Sequence, residues 1–163
     1  MPSLARTLLP AACLALLAAS PPGRADDDAQ LDRGRYLVKI SGCNDCHTAG
    51  YLMAPTKVIE SDWLKGDKLG WYGPWGTTYP SNLRLALAKL SEREWLALAR
   101  QANYRPPMPN QTLRQMSDQD LLAIYRLVKH LGPAGEPAPL ALPPGDQPLG
   151  PVVMFPMPPK PAP

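Results

Sequence analysis

The run Cys43-Asn44-Asp45-Cys46-His47 narrows the possibilities for this chain more than any other stretch. One helical turn carries its two thiols to the same side, because residues three apart share a face. A histidine follows at once. Two cysteines and a histidine in this spacing are the attachment signature of a c-type haem. Each thiol forms a thioether with a vinyl group, and the histidine becomes the proximal iron ligand. With Cys and His each at a percent or two of residues, chance yields the run in roughly one chain of this length in a thousand. The predicted cofactor is one covalent haem c, attached through Cys43 and Cys46 and ligated by His47.

Other chemistries fit the run less well. A redox-active CxxC pair belongs in a βαβ context, whereas the flanks here read as helix and loop. A zinc site needs four ligands. His47 adjoins Cys46 and could hardly share its ion, and the chain has only 3 Cys and 2 His in all. A disulfide between Cys43 and Cys46 would leave the histidine unexplained.

The N-terminus reads as an export signal. Arg6 precedes an apolar run from Leu8 to Ala19, and Gly23-Arg24-Ala25 supplies small residues around a cleavage point. That predicts a signal peptide over residues 1–25 and a periplasmic protein. The run is about a dozen residues, short of the roughly 20 that a spanning helix needs, so no stable membrane span is expected after cleavage. Cys13 lies inside the run, but Pro10 stands where a lipidation site wants leucine. Cleavage leaves Cys43 and Cys46 as the only thiols. It also removes Arg6 and Arg24, which takes 17 basic residues to 15 against 14 acidic ones, a net charge of +1. Two propionates would bring the total to about −1. No Lys/Arg cluster of the kind that a phosphate backbone attracts is present, so no nucleic-acid partner is expected.

Helical signals dominate residues 26–132, the predicted folded domain. A helix is expected from about Gln30 to Ile40, preceded by Asp26-Asp27-Asp28 at its positive end. Gly34 inside it marks a close approach or an ordinary exposed glycine. Residues 48–80 form a long Gly/Pro-punctuated loop that carries Tyr51, Trp63, Trp71, Tyr72, Trp75 and Tyr79. A loop of this length wraps around something, and a flat apolar macrocycle suits the aromatics, although any single one could be plain packing. Asn82 to Leu90 alternates like a strand, but no partner strand is evident, so a turn or short helix is preferred. Ser91-Glu92-Arg93-Glu94 is a capping box opening a helix to about Gln101, with Trp95, Leu98 and Ala99 inward. Ser117 caps a last helix whose buried stripe is Leu121, Ile124, Tyr125, Val128 and Leu131, stopped by Gly132-Pro133. Residues 133–163 hold 12 of the 22 prolines. They predict an extended tail with neither helix nor sheet, docked through Val152-Val153-Met154-Phe155.

Met108 sits in Arg105-Pro106-Pro107-Met108-Pro109. Prolines on both sides stiffen the backbone. A methionine so held is either a hydrophobic plug or a thioether presented to a metal from a fixed direction. A haem that needs a sixth ligand favours the second.

The order of parts resembles the class I cytochromes c, whose first and last helices cross beside the haem. The resemblance implies Gly34 as the crossing point and Tyr125 as its counterpart. In the four-helix cytochromes c-prime the motif lies in the last helix, unlike here. A closer similarity is to the single-haem domains of the cytochrome subunits that serve periplasmic alcohol and gluconate dehydrogenases. It rests on Cys43 to His47, Gly76-Thr77-Thr78-Tyr79-Pro80-Ser81-Asn82, Pro106-Pro107-Met108-Pro109 and Ser117-Asp118-Gln119-Asp120. It covers about residues 30–132; the single CxxCH and the tail are departures. The implied fold is all-α and cytochrome c-like, three to five helices around a covalent haem with a proline-rich extended tail. The implied distal ligand is Met108, and elimination agrees. His130 suits the negative end of the last helix, Met53 follows His47 too closely, Met116 abuts a helix cap, and Met154 and Met157 lie in the tail. His/Met ligation fills both axial positions and suits electron transfer. The expected role is a non-enzymatic carrier between a dehydrogenase donor and a cytochrome or oxidase acceptor. The competing expectation is a haem enzyme or gas sensor with an open or weak sixth position.

Overall fold

The computed structural model describes residues 22–159. Most of the expected signal peptide, with the Leu8 to Ala19 run and Cys13, lies outside the described residues. Among them are six α-helices and one small sheet: α1 (Pro22–Ile40), α2 (Cys43–His47), β1 (Gly70–Gly73), β2 (Gly76–Thr78), α3 (Leu83–Ala88), α4 (Glu92–Arg100), α5 (Asn110–Gln115), α6 (Asp118–Leu131) and β3 (Val152–Met154). The chain is helix-rich, as expected. It is not all-α, and its helices exceed the expected three to five. No described helix is long and apolar enough to cross a membrane.

The α1–α6 pair is the frame, and these two helices make more contacts with each other than any other two elements do. Leu37 and Val38 from α1 and Leu121, Ala123, Ile124, Leu127 and Val128 from α6 are buried in one core with Trp63, Leu64, Leu87, Trp95 and Ala99. Gly34 lets the two backbones touch. A Cβ there would run into the Ala123 carbonyl and come within 2.9 Å of Leu127 Cβ. The counterpart of Gly34 is therefore the Ala123/Leu127 face, not Tyr125. Residues 123 and 127 lie one turn apart on a single face, while residue 125 points away from it. Tyr125 instead donates its hydroxyl to the Leu90 carbonyl at 2.8 Å. Arg33 pairs with Asp120 at 2.8 Å across the two helices.

Caps set most helix boundaries. Ser91 and Glu94 form the reciprocal capping box of α4, and the Ser117 hydroxyl accepts from the Asp120 amide. Asn82 caps α3 through a bond from the Leu85 amide, which resolves the ambiguous 82–90 stretch as a short helix. Helix α1 starts ahead of the expected Gln30, so the three aspartates are helical residues rather than a cap. The inner face of α4 carries Trp95 and Ala99, with Ala102 beyond it, while Leu98 is 41 % exposed, against expectation. The Trp95 indole donates to the Leu121 carbonyl at 2.7 Å, and that bond sets the rotation of α4 against α6.

The sheet corrects two further expectations, a strand-free loop and a tail that excludes pairing. Its order is β2-β1-β3, with β1 antiparallel to β2 and parallel to β3. Trp71 lies opposite Thr78 in one ladder and Val153 in the other. Val152-Val153-Met154-Phe155 is a proline-free stretch between Pro151 and Pro156, so its backbone donors are intact. Phe155 then seats its ring 5.0 Å from Trp75 and 6.0 Å from Trp71. The expected docking of this patch is borne out, although Met154 itself is 61 % exposed. Tyr51 and Trp63 are plain core packing, edge to face at 6.0 Å.

Candidate functional site

Helix α2 is a single turn entered through Gly42, whose φ of 70° starts the turn sharply after α1. The turn sorts its side chains by spacing. Cys43 and Cys46 share one side, half-buried and unpaired with each other. Asn44 and His47 share another, and both are buried. Asn44 is anchored by the Thr48 hydroxyl, which donates to its Oδ1 at 2.8 Å while accepting from the Leu64 amide at 2.8 Å.

The His47 ring is held from behind. Its Nδ1 lies 2.7 Å from the Ser81 carbonyl. A carbonyl can only accept, so Nδ1 carries the proton and the lone pair of the neutral ring sits on Nε2. Burial pushes the pKa of His47 down, and the Ser81 carbonyl partly opposes this by favouring the protonated ring. The result is a neutral, oriented imidazole with one nitrogen available to a metal. The His47 carbonyl accepts from the Gly66 amide at 2.8 Å, which fixes the turn's exit.

The surroundings of Cys43 and Cys46 favour the protonated form of both thiols. Burial pushes Cys43 up to about 11, and burial followed by the Asp45 charge raises Cys46. A working CxxC redox pair does the opposite and lowers a thiol toward neutrality. Among the described residues, no three His, Cys, Asp or Glu side chains are arranged to hold an ion.

No protein-family model, curated protein or solved structure matches this chain.

Met108 is half-buried and packs against the same hydrophobic core that Cys43 touches. Its loop is closed on itself. The Tyr104 amide donates to Asn110 Oδ1 at 2.7 Å, and Asn110 Nδ2 returns a bond to the Tyr104 carbonyl at 2.8 Å. Two other candidates are exposed: His130, and Met53 at 85 %. Met116 packs half-buried against the core at the end of α5.

The donor set fits a covalent haem. Two free thiols and an oriented imidazole occupy one turn, and a methionine sulfur stands on a stiff loop. Among the described residues, four buried donors also lack a protein acceptor: Asn44 Nδ2 on the attachment turn, and Trp75 Nε1, Thr77 Oγ1 and Thr78 Oγ1 at the hairpin. Buried donors ordinarily find partners, and propionate oxygens are acceptors of the right kind. The supporting residues Thr48, Leu64 and Arg105 carried no sequence signal, while Ser81 acts through its backbone alone.

Proposed function

We propose that this chain is a periplasmic c-type electron carrier with one covalent haem held by Cys43 and Cys46, His47 as proximal ligand and Met108 as distal ligand. The observation that carries the reading is the His47 ring, tied at Nδ1 to the Ser81 carbonyl beside two unpaired thiols on one turn. The α1–α6 crossing at Gly34 supports a cytochrome c-like arrangement within the helix-rich fold. A dehydrogenase is the proposed donor, and a cytochrome or oxidase the acceptor.

A haem bound at this turn supplies a one-electron iron couple. The chain's own residues supply orientation and rigidity. Ser81 holds the His47 proton on Nδ1 and keeps Nε2 unprotonated. Thr48 pins Asn44 and the Leu64 backbone under the turn. The Tyr104–Asn110 pair closes the Met108 loop so that its thioether approaches from one direction. His47 and Met108 together would hold the iron of a bound haem and leave substrate no point of entry, which favours conduction over catalysis.

Carbon monoxide tests the reading. Ferrous protein should be six-coordinate and low-spin, with a spectrum that CO barely changes. Met108→Ala should retain covalent haem, bind CO rapidly and show a lower reduction potential. Rapid CO binding by the unaltered protein would replace the carrier with a haem enzyme or gas sensor. An unchanged Met108→Ala spectrum would assign the distal position to another residue.

A further inference from the structure

We propose that the proline-rich tail is a tie across both ligand-bearing segments, and that Arg105 is the positioning residue through which it fixes Met108. The inference rests on the haem ligation proposed above.

The tail is fastened to the proximal side first. Asn82 Nδ2 donates to the Ala134 carbonyl at 2.8 Å and the Glu136 carbonyl at 3.1 Å. Asn82 directly follows Ser81, whose carbonyl holds His47. The tail then crosses the hairpin. Leu142 and Thr77 exchange backbone bonds of 3.0 and 2.9 Å. Gly76, at a φ of 92°, makes room for the crossing, because a Cβ there would collide with the Leu142 carbonyl and come within 2.6 Å of Pro143. β3 and Phe155 complete the attachment.

Arg105 joins this strap to the distal loop. One guanidinium nitrogen donates to the Trp75 carbonyl at 2.5 Å and to the Leu142 carbonyl at 3.2 Å. The Leu142 oxygen thus receives both the Thr77 amide and Arg105, so a single acceptor links tail, hairpin and methionine loop. The loop is already closed by Tyr104 and Asn110, and an outside tether therefore sets its position rather than its shape. Arg105 is exposed, and exposed charge-assisted contacts add little to global stability. Its contribution is to where Met108 stands, which separates a positioning role from a structural one.

The test uses the full-length, haem-loaded protein, with the CO association rate of the ferrous form as readout and the reduction potential and denaturation midpoint measured alongside. CO enters only when the distal ligand is off, so its rate follows the population of that state. Arg105→Ala should bind CO roughly tenfold faster and lower the potential, with a midpoint close to wild type. Arg105→Lys, which offers a point charge in place of a fork, should lie between them, and it serves if the alanine variant fails to fold. Leu140→Ala, at a tail side chain 87 % exposed, should match wild type. Wild-type rates in both Arg105 variants, with Met108→Ala fast, would overturn the tie while leaving the ligand intact. A wild-type rate in Met108→Ala would instead overturn the ligation, and the tie with it.

Discussion

Thr48 is the residue on which the attachment turn hangs. Its hydroxyl bridges two buried groups, donating to Asn44 Oδ1 and accepting from the Leu64 amide. Leu64 is fully buried with a φ of 61°, a left-handed conformation that costs a branched residue about 1–2 kcal/mol. Its carbonyl accepts from the Leu83 amide at 2.9 Å, so this strained residue joins the attachment turn to α3. Thr48→Val keeps the shape and deletes the oxygen. It should destabilise by about 2–4 kcal/mol, since each buried orphan costs about 1–3. Thr48→Ser keeps the oxygen and loses a methyl, a cost of about 1 kcal/mol. Urea midpoints distinguish the two, and equal losses would mean that packing rather than the hydroxyl matters at this position.

At the scale of elements, the α1–α6 crossing turns on Gly34. Alanine there gains about 1 kcal/mol of helix propensity over glycine. Its Cβ would meet a backbone carbonyl of Ala123, which cannot swing aside as a long side chain would, and overpacking of this kind costs about 1–3 kcal/mol. The clash wins, so Gly34→Ala should lower the denaturation midpoint. A stabilised variant would show that the helices do not touch at this point. The same crossing shows what was legible in the sequence. Gly34 stood out as a glycine within a helix, and the caps at Ser91 and Ser117 were readable because a cap is a local pattern of three or four residues. The partner of Gly34 was not readable, since helix rotation is settled by packing between distant segments. Leu98 failed for the same reason: Trp95 bonding to the Leu121 carbonyl turns α4 so that Ala99 and Ala102 face inward. In the candidate site, Cys43, Cys46 and His47 announced themselves through side-chain chemistry. Ser81 could not, because it serves through a carbonyl that every residue possesses.

The whole molecule has two parts joined by different physics. Helices α1, α3, α4 and α6 share a continuous apolar core. The tail is held by scattered backbone bonds, a three-residue strand and one aromatic anchor, Phe155 against Trp71 and Trp75. Sequence could not foresee the β1–β3 pairing, since the two strands lie some eighty residues apart and the tail's proline density hides the short proline-free stretches able to pair. Such construction should open in steps, the tail at lower cost than the core. Phe155→Ala removes a half-buried ring, worth about 1–2 kcal/mol against the 3–5 of a fully buried one. That corresponds to roughly five- to thirtyfold faster opening of the tail. Hydrogen exchange at the Leu142 and Phe155 amides, which bond to the Thr77 and Tyr72 carbonyls at 2.9 and 2.8 Å, should quicken by that factor. Amides in the middle of α6 should keep their wild-type rates. If α6 quickens equally, tail and core open as one unit, and the strap is then part of the fold's cooperative core.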